Sequence, residues 1–236
     1  MVRPEAVPML VPEMPRFADR KEAGRLLAAR VVALGLRNPV VFALPRGGVP
    51  VAAEVADALH APLDLVLVRK IGAPGQPELA LGAVVDGEAP ETVLNPHIVA
   101  ATGASEGFIE AARRRELAEI ERRRTRYLAG HPRVDPAGRD AVVVDDGIAT
   151  GATARAALHA LRRCGAARLV LATPVAPADT LEALRGEADE IVCLFVPAPF
   201  FGIGAFYRDF HQLADDEVVE LLAARSPPRA PGARSM

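Results

Sequence analysis

Two adjacent acids, Asp145 and Asp146, stand between an apolar run and a loop of small residues. The run, residues 141–144, shows no polar alternation, which is typical of a parallel strand covered on both faces. The loop, residues 147–153, contains glycines that allow tight turns, and a helix predicted from Gly151 directs its positive dipole end there. The loop therefore suits a phosphate monoester. Carboxylates would repel phosphate, so the acid pair predicts a ligand that also carries hydroxyl groups or a metal ion.

A ribose 5-phosphate carries both kinds of group, with hydroxyls for the acid pair and a phosphate for the loop. An ordinary strand-to-helix turn is the alternative, but it does not explain why two acids and two threonines coincide. A Walker loop is excluded because no Gly-Lys-Ser/Thr is present, and the glycine spacing does not fit a Rossmann fingerprint. The predicted phosphate-binding residues are Gly147, Ile148, Ala149, Thr150, Gly151, Ala152 and Thr153.

The strand, the two acids and the closing Thr-Gly-Ala-Thr together resemble the signature of type I phosphoribosyltransferases, which bind 5-phosphoribosyl-1-pyrophosphate (PRPP). The resemblance extends from Arg16 to Leu222 and is greatest to bacterial predicted phosphoribosyltransferases with a Pro-Arg-Gly-Gly loop. It implies an enzyme of nucleotide metabolism that moves the 5-phosphoribosyl group from PRPP to a nitrogen heterocycle and releases pyrophosphate. It also implies Mg²⁺ as a cofactor at the acid pair, held directly or indirectly. The residues to which it gives catalytic roles are Asp145, Asp146, Arg46 and Lys70.

The segment Leu44-Pro45-Arg46-Gly47-Gly48 ends the first predicted strand. Gly47 and Gly48 let the backbone approach a ligand closely, and their N–H groups can form an anion-binding nest beside the Arg46 cation. The segment resembles the pyrophosphate loop of phosphoribosyltransferases, which implies a cis peptide bond at Pro45-Arg46. A plain turn between strand and helix, with a surface arginine, is the alternative.

Arg69 and Lys70 follow the second predicted strand, residues 63–68. Ligands of open parallel α/β sheets bind at the carboxyl ends of the strands. Both cations are therefore predicted to bind pyrophosphate in the same crevice as the Arg46 loop. Lys70 stands out because the chain has only one other lysine, and ordinary solvation is an equal alternative. The Gly- and Pro-rich residues 71–79 predict a hinged lid that excludes water.

Six of the ten aromatic residues fall between Phe195 and Phe210. The family resemblance implies a variable hood over the strand ends here, and aromatic rings would stack on a planar heterocycle. An apolar cap that closes the sheet is the alternative for some of the rings. The predicted acceptor-pocket residues are Phe200, Tyr207 and Phe210, with Tyr207 preferred for its polar tip.

At several positions this chain differs from well-known members of the family, so the resemblance does not identify the acceptor. Enzymes for 6-oxopurines carry an aspartate where this chain has Ala149 and a lysine near residues 174–177, and the lysine-rich lid of orotate enzymes is absent. Hypoxanthine, guanine and orotate are therefore disfavoured. The rival hypothesis is a PRPP-binding regulator without transferase activity, linked to RNA by the arginine-rich helix predicted over residues 105–128. A PRPP-synthesising kinase is a weaker alternative, because no ATP site is apparent.

Strands and helices alternate along the chain, which predicts an α/β fold. We expect a doubly wound, largely parallel sheet with helices on both faces, plus a small hood. A single domain is expected over residues 16–224, with the hood formed by residues 196–212 and the N-terminal segment. Residues 1–15 are expected to form an N-terminal arm, and residues 225–236 a disordered tail.

Composition and charge narrow the range of partners. The net charge of −2 gives no general attraction to nucleic acid or anionic membranes, and no apolar run approaches the ~20 residues of a membrane span. The first 15 residues lack the layout of a signal peptide, so a cytoplasmic location is expected. The expected partners are PRPP and a small heterocyclic acceptor, without membrane or nucleic acid. Homodimers are common in the family, so the resemblance allows one here.

Overall fold

Five parallel strands form the central sheet of the computed structural model, which describes residues 16–86, 90–128 and 133–225. The strands described, in chain order, are β1 (Val40–Ala43), β2 (Leu63–Leu65), β3 (Val68–Ala73), β4 (Gln76–Val85), β5 (Glu91–Leu94), β6 (Asp140–Val144), β7 (Arg168–Val175) and β8 (Glu190–Phe195). Across the central sheet the order is β2-β1-β6-β7-β8, and every neighbouring pair is parallel. The predicted arm and residues 226–236 of the predicted tail lie outside the described residues.

Helices cover both faces of this sheet, because its central strands are apolar on both sides. The helices described are α1 (Arg20–Val32), α2 (Gly48–Leu59), α3 (Pro96–Thr102), α4 (Glu106–Tyr127), α5 (Ala152–Arg163), α6 (Ala178–Leu184), α7 (Asp215–Ala223) and a 3₁₀ helix (Ile203–Phe206). Val142 and Val144 belong to the buried cluster that includes residues of α1, α2, α4 and α7, whereas Ala141 and Val143 belong to the cluster with α5 and α6. The predicted doubly wound parallel sheet is confirmed. Among the helices described, none is long and apolar enough to span a bilayer.

A second, antiparallel sheet follows β2, with its strands in the order β3-β4-β5. The predicted lid loop over residues 71–79 is wrong, because these residues lie mostly in β3 and β4, joined by a tight turn at Pro74 and Gly75 (φ +69°). The pairing register shifts at Gly72, where a Cβ would lie 2.6 Å from the Pro77 carbonyl oxygen. The glycines and prolines therefore form a turn and an irregular strand pairing rather than a loop.

The aromatic segment, residues 195–210, packs on the N-terminal segment. Phe17 and Tyr207 form a β-bridge, and the Phe17 N–H donates to the Phe206 carbonyl oxygen (2.8 Å) while the Arg208 N–H donates to the Phe17 carbonyl oxygen (2.8 Å). The paired rings in this segment have centroids 5.0–5.9 Å apart. Most of the rings thus pack on one another, as the apolar-cap alternative describes.

Candidate functional site

The loops that follow β1 and β6 meet at the carboxyl ends of these two neighbouring strands. A Cβ atom on Gly47 would lie 2.1 Å from Asp146 Oδ2, and one on Gly48 would lie 2.6 Å from the Val144 carbonyl oxygen. Both distances are far below a normal contact, so only glycine lets the loops approach this closely. The acid pair and the Arg46 loop therefore belong to one site.

The β1 loop has the backbone geometry that the family resemblance implies, but not the expected pair of glycine amides. The Pro45-Arg46 peptide bond is cis, which confirms the expectation. The Gly48 N–H, however, donates to the Leu44 carbonyl oxygen (3.0 Å), so the prediction that this amide faces a ligand is wrong. Arg46 Nη1 lies 3.6 Å from Asp215 Oδ1 of α7, with a third of the Arg46 side chain exposed.

Backbone amides are available where the β6 loop enters α5. Gly151 has a left-handed backbone (φ +74°) and immediately precedes the first residue of this 12-residue helix. Within the described residues, the amides of residues 149–153 donate no hydrogen bond to protein atoms. The Thr180 hydroxyl donates to the Ala149 carbonyl oxygen (2.7 Å), which fixes the start of the loop. These amides and the helix dipole together form a candidate anion site.

Two residues predicted to bind phosphate face the protein instead. Ile148 is buried, and its N–H donates to the Val175 carbonyl oxygen (2.9 Å). A Cβ on Gly147 would lie 2.4 Å from Ile203 Cγ2, so the 3₁₀ helix covers this residue. The structure therefore contradicts a direct contact between Ile148 and a phosphate, and it limits the candidate anion site to residues 149–153.

Asp145 is the more exposed of the two acids. Its Oδ1 accepts the Asp146 N–H (2.9 Å), and part of its surface is open to solvent. Burial raises the pKa of Asp145, and the neighbouring Asp146 carboxylate raises it further. Asp145 in its ionised form would therefore be stabilised by a bound cation or by hydroxyl donors.

Asp146 is buried and is held by two residues from outside its own loop. Arg20 Nε donates to Asp146 Oδ2 (2.8 Å), and both side chains are at most 10% exposed. The Tyr207 hydroxyl donates to the backbone carbonyl oxygen of Asp146 (2.5 Å). No local sequence pattern predicts the role of Arg20, because it lies 126 positions from Asp146 along the chain. The only available signal is that a buried acid must find a partner.

Arg69 and Lys70 lie inside β3, so the prediction that they end a strand of the central sheet is wrong. Arg69 Nε donates to Glu116 Oε2 on α4 (3.0 Å), and Lys70 is exposed. Neither residue lines the cavity beside Asp146, as the described residues define it. Their role in pyrophosphate binding stays a prediction.

A cavity of about 320 Å³ lies beside Asp146. Of the predicted acceptor residues, Phe210 lines it, and the Arg20 guanidinium lies 4.0 Å from the Phe210 ring centroid. Tyr207 is only 3% exposed and stacks on Phe210 (5.0 Å), so the structure contradicts a contact between Tyr207 and an acceptor. Phe200 stacks on Phe206 (5.9 Å) and does not line the cavity as these residues define it.

The acid pair fits a magnesium ion that its ligand would help to hold. Mg²⁺ prefers oxygen ligands, keeps several waters and is commonly bound by one or two carboxylates together with substrate phosphates. Asp145 is the partly exposed acid of the pair, whereas Arg20 occupies one oxygen of Asp146. Among the described residues, no group of three or more His, Cys, Asp or Glu side chains could hold a metal ion.

His211 lies on the rim of this cavity, between Asp209 and Glu217. Its Nε2 is 3.0 Å from Glu217 Oε1, and its Nδ1 is 3.2 Å from Asp209 Oδ1. The bond to Glu217, followed by that to Asp209, raises the pKa of His211 above its ordinary 6.5. A raised pKa contributes stability that is fully present below about pH 6.5 and is lost as the pH rises through the folded-state value.

We therefore expect His211→Gln to lower the urea unfolding midpoint slightly at about pH 5.5 and to leave it unchanged at about pH 9. The effect is small because the pair is exposed to solvent and screened. Urea titrations at both pH values would measure it, with His97→Gln on α3 as the control. A midpoint difference of equal size at the two pH values would contradict the assignment.

Comparison with known proteins points to one family. The family model described as "Phosphoribosyl transferase domain" matches residues 18–205, which include both loops of the site. Two curated Mycobacterium tuberculosis proteins, "Putative phosphoribosyl transferase MT0597" (strain CDC 1551 / Oshkosh) and "Putative phosphoribosyl transferase Rv0571c" (strain ATCC 25618 / H37Rv), are each 51% identical over 209 residues. The match covers 89% of this chain and 47% of each relative, so the chain spans about half the length of the curated relatives it matches.

A solved structure shows the same fold. The crystal structure of the protein TT1426 from Thermus thermophilus superposes with a TM-score of 0.79 at 45% identity. The similarity covers 90% of this chain and 100% of that chain. The fold, the family match and the arrangement of the two loops agree with the type I resemblance, and the chain belongs to the phosphoribosyl transferase domain family.

Proposed function

We propose that this protein is an enzyme that binds PRPP with Mg²⁺ and transfers its 5-phosphoribosyl group to a nitrogen heterocycle, releasing pyrophosphate. The observation that carries the proposal is the meeting of the acid pair, the Arg46 loop and the amides of residues 149–153 beyond the carboxyl ends of β1 and β6. Ligands of doubly wound sheets bind at such an edge. Membership of the family supports the same reaction.

Each part of the site has a role in this reaction. The amides of residues 149–153 bind the 5-phosphate, and the acid pair accepts hydrogen bonds from the ribose hydroxyls. As the C1–O bond breaks, its electron pair leaves with pyrophosphate, and the charge of Asp145 and Asp146 stabilises the positive charge that develops on the ribose. Arg46 and the Gly47 amide bind the departing pyrophosphate. The acceptor nitrogen then bonds to C1 with inversion and releases its proton to water, and positioning supplies much of the rate.

Asp145 is the residue that we propose would hold Mg²⁺. Its carboxylate would hold the ion together with oxygens of PRPP, and the bound ion would offset the charge of the leaving pyrophosphate. Burial beside Asp146 makes the ionised form of Asp145 costly, which is the environment that a cation stabilises.

The cavity beside Asp146 is the proposed acceptor site. Its volume of about 320 Å³ is enough for a small heterocycle and lies at the lower end of typical ligand pockets. Phe210 contributes an aromatic wall. Ala149 stands where the family's 6-oxopurine enzymes carry an aspartate, so we propose an acceptor other than hypoxanthine or guanine.

The charge pairing of α4 lowers the support for an RNA-linked regulator. Arg114 pairs with Glu110, and both Arg122 and Arg123 pair with Glu119, all at i,i+3 or i,i+4 spacing. The predicted arginine-rich helix thus neutralises much of its own charge, as solvated amphipathic helices do. The experiment below distinguishes a transferase from a regulator that binds PRPP without transferring its phosphoribosyl group.

The test is pyrophosphate release from PRPP and Mg²⁺ across a panel of purines, pyrimidines and other nitrogen heterocycles, beside a control without base. Release that depends on one base would establish the transferase and identify its acceptor. PRPP binding without base-dependent release would contradict transferase activity across the panel and favour the regulator. Absence of PRPP binding would contradict both.

Lys70→Ala is expected to slow turnover more than it weakens PRPP binding, because Lys70 is proposed to act on the departing pyrophosphate. We expect kcat to fall about tenfold or more, while the Kd for PRPP changes by less than about threefold. Lys21→Ala, at the chain's other lysine, is the control and keeps full turnover. An unchanged kcat for Lys70→Ala would show that Lys70 has no role in catalysis.

A further inference from the structure

Arg20 lies in a closed ring of contacts that joins the acid pair to the aromatic segment. Its Nε donates to Asp146 Oδ2 (2.8 Å), and its guanidinium lies 4.0 Å from the Phe210 ring centroid. Phe210 stacks on Tyr207 (5.0 Å), and the Tyr207 hydroxyl donates back to the Asp146 carbonyl oxygen (2.5 Å). Asp146 is therefore fixed through both its side chain and its backbone.

A further hydrogen bond uses the planar shape of the guanidinium. Arg20 Nη1 donates to the His211 carbonyl oxygen (2.9 Å) while Nε serves Asp146. A guanidinium is planar, so it can lie flat on a ring while two of its nitrogens donate in its plane, whereas a lysine ammonium is a point charge without such a plane. Arg20 thus fastens residues 210–211 to the acid.

The Asp146 carboxylate has little room to move away from this position. The oxygen that accepts from Arg20 is also the one that lies 2.1 Å from a Cβ placed on Gly47. The carboxylate is therefore confined between the guanidinium and the backbone of the Arg46 loop. Removing one partner of a buried ion pair leaves the other charge uncompensated. Without Arg20, we expect the Asp146 carboxylate to turn toward water and away from Gly47.

We propose that Arg20 is a positioning residue for the ribosyl part of the ligand: it holds Asp146 for the ribose hydroxyls and couples residues 206–211 to occupancy of the site. The inference rests on the proposed function, because it takes PRPP as the ligand. Within the described residues, the polar and ring contacts of Arg20 go to Asp146, Phe210 and His211 and not to the anion site at residues 149–153. Its effect is therefore expected on ligands that reach Asp146 and not on phosphate bound at residues 149–153 alone.

The test compares a ligand with a ribose and one without. Calorimetry measures PRPP binding in the presence of Mg²⁺, and amide chemical-shift titration measures inorganic phosphate. We expect Arg20→Gln to weaken PRPP binding about tenfold or more, Arg20→Lys to weaken it less, and both to bind phosphate within about twofold of the wild type. Arg25→Gln, at an exposed position on the same helix, is the matched control and binds both ligands normally.

Hydrogen exchange gives a readout of the coupling that a general loss of stability would not reproduce. In the wild type, PRPP with Mg²⁺ is expected to slow amide exchange in residues 206–211, which pack against Arg20 and Asp146. In Arg20→Gln at saturating PRPP, this added protection is expected to be lost while protection of residues 149–153 is kept. Equal added protection in both proteins would overturn the coupling.

The remaining outcomes separate this inference from the proposed function. A wild-type protein that does not bind PRPP overturns both, whereas a wild type that binds PRPP no better than Arg20→Gln overturns only the role of Arg20. Equal losses of PRPP and phosphate binding in Arg20→Gln also overturn it, since they indicate general damage. If Arg20→Gln does not fold, Arg20→Lys decides: weakened PRPP binding with phosphate binding retained supports the role, and wild-type PRPP binding overturns it.

Discussion

Asp145→Asn combined with Asp146→Asn is expected to weaken Mg²⁺-dependent PRPP binding by about a hundredfold or more. The two carboxylates are proposed to accept hydrogen bonds from the ribose hydroxyls, and Asp145 to hold the ion. Two charge-assisted hydrogen bonds are together worth on the order of 3 kcal/mol, which corresponds to about a hundredfold. Calorimetric titration of PRPP with and without Mg²⁺ measures the change.

The single variants separate the two acids within the same experiment. Because the pKa of Asp145 is raised in the folded protein, its ionisation lowers the free energy of unfolding as the pH rises. At neutral pH, Asp145→Asn should therefore unfold at a higher temperature than the wild type while losing PRPP affinity. Asp146→Asn leaves the buried Arg20 charge without its counter-ion and should be less stable by on the order of 3 kcal/mol. Asp135→Asn, at an exposed acid, is the control. Wild-type PRPP affinity in the double variant would remove the site assignment.

Gly48→Ala is expected to disrupt the site from beneath the acid pair. The new Cβ would lie 2.6 Å from the Val144 carbonyl oxygen and 3.0 Å from Asp145 Cα, both of which are backbone atoms at the end of β6. Neither can move without displacing the strand end that carries the acids. We expect a loss of about 1–3 kcal/mol in the free energy of unfolding, and loss of PRPP binding. Chemical denaturation and calorimetry measure the two effects.

Gly107→Ala is the matched control for this substitution. Gly107 lies near the start of α4, and a Cβ there meets nothing within 4 Å. Alanine is the better helix former, so this variant should be neutral or up to about 1 kcal/mol more stable, with PRPP binding unchanged. A Gly48→Ala protein as stable as Gly107→Ala, with normal PRPP binding, would contradict the close approach of the two loops.

Local pattern was enough to predict the parts of the site that lie along a single stretch of chain. The apolar run of β6, the acids and the small-residue entry to α5 are contiguous, so periodicity and turn chemistry predict them together. Regular alternation of helices and strands likewise predicts the doubly wound sheet, which the structure confirms. The cis bond at Pro45-Arg46 came from the family resemblance rather than from any pattern in the residues.

The features that the sequence did not predict depend on contacts between distant residues. The ion pair of Arg20 with Asp146 spans 126 positions, and no periodicity marks it. Aromatic enrichment predicted an acceptor pocket, yet it could not distinguish a ring that lines a cavity from one that fills a core, and Tyr207 proved to be the latter. Gly72 and Pro77 are typical of a loop by composition, although here they accommodate a shift in strand register.

The most direct test of the central claim is a crystal structure of the protein with PRPP and Mg²⁺. We expect the 5-phosphate on the amides of residues 149–153, the ribose hydroxyls at Asp145 and Asp146, and pyrophosphate beside Arg46 and Gly47. PRPP bound elsewhere on the protein, or a crevice beyond β1 and β6 that stays free of PRPP at saturating concentration, would contradict it.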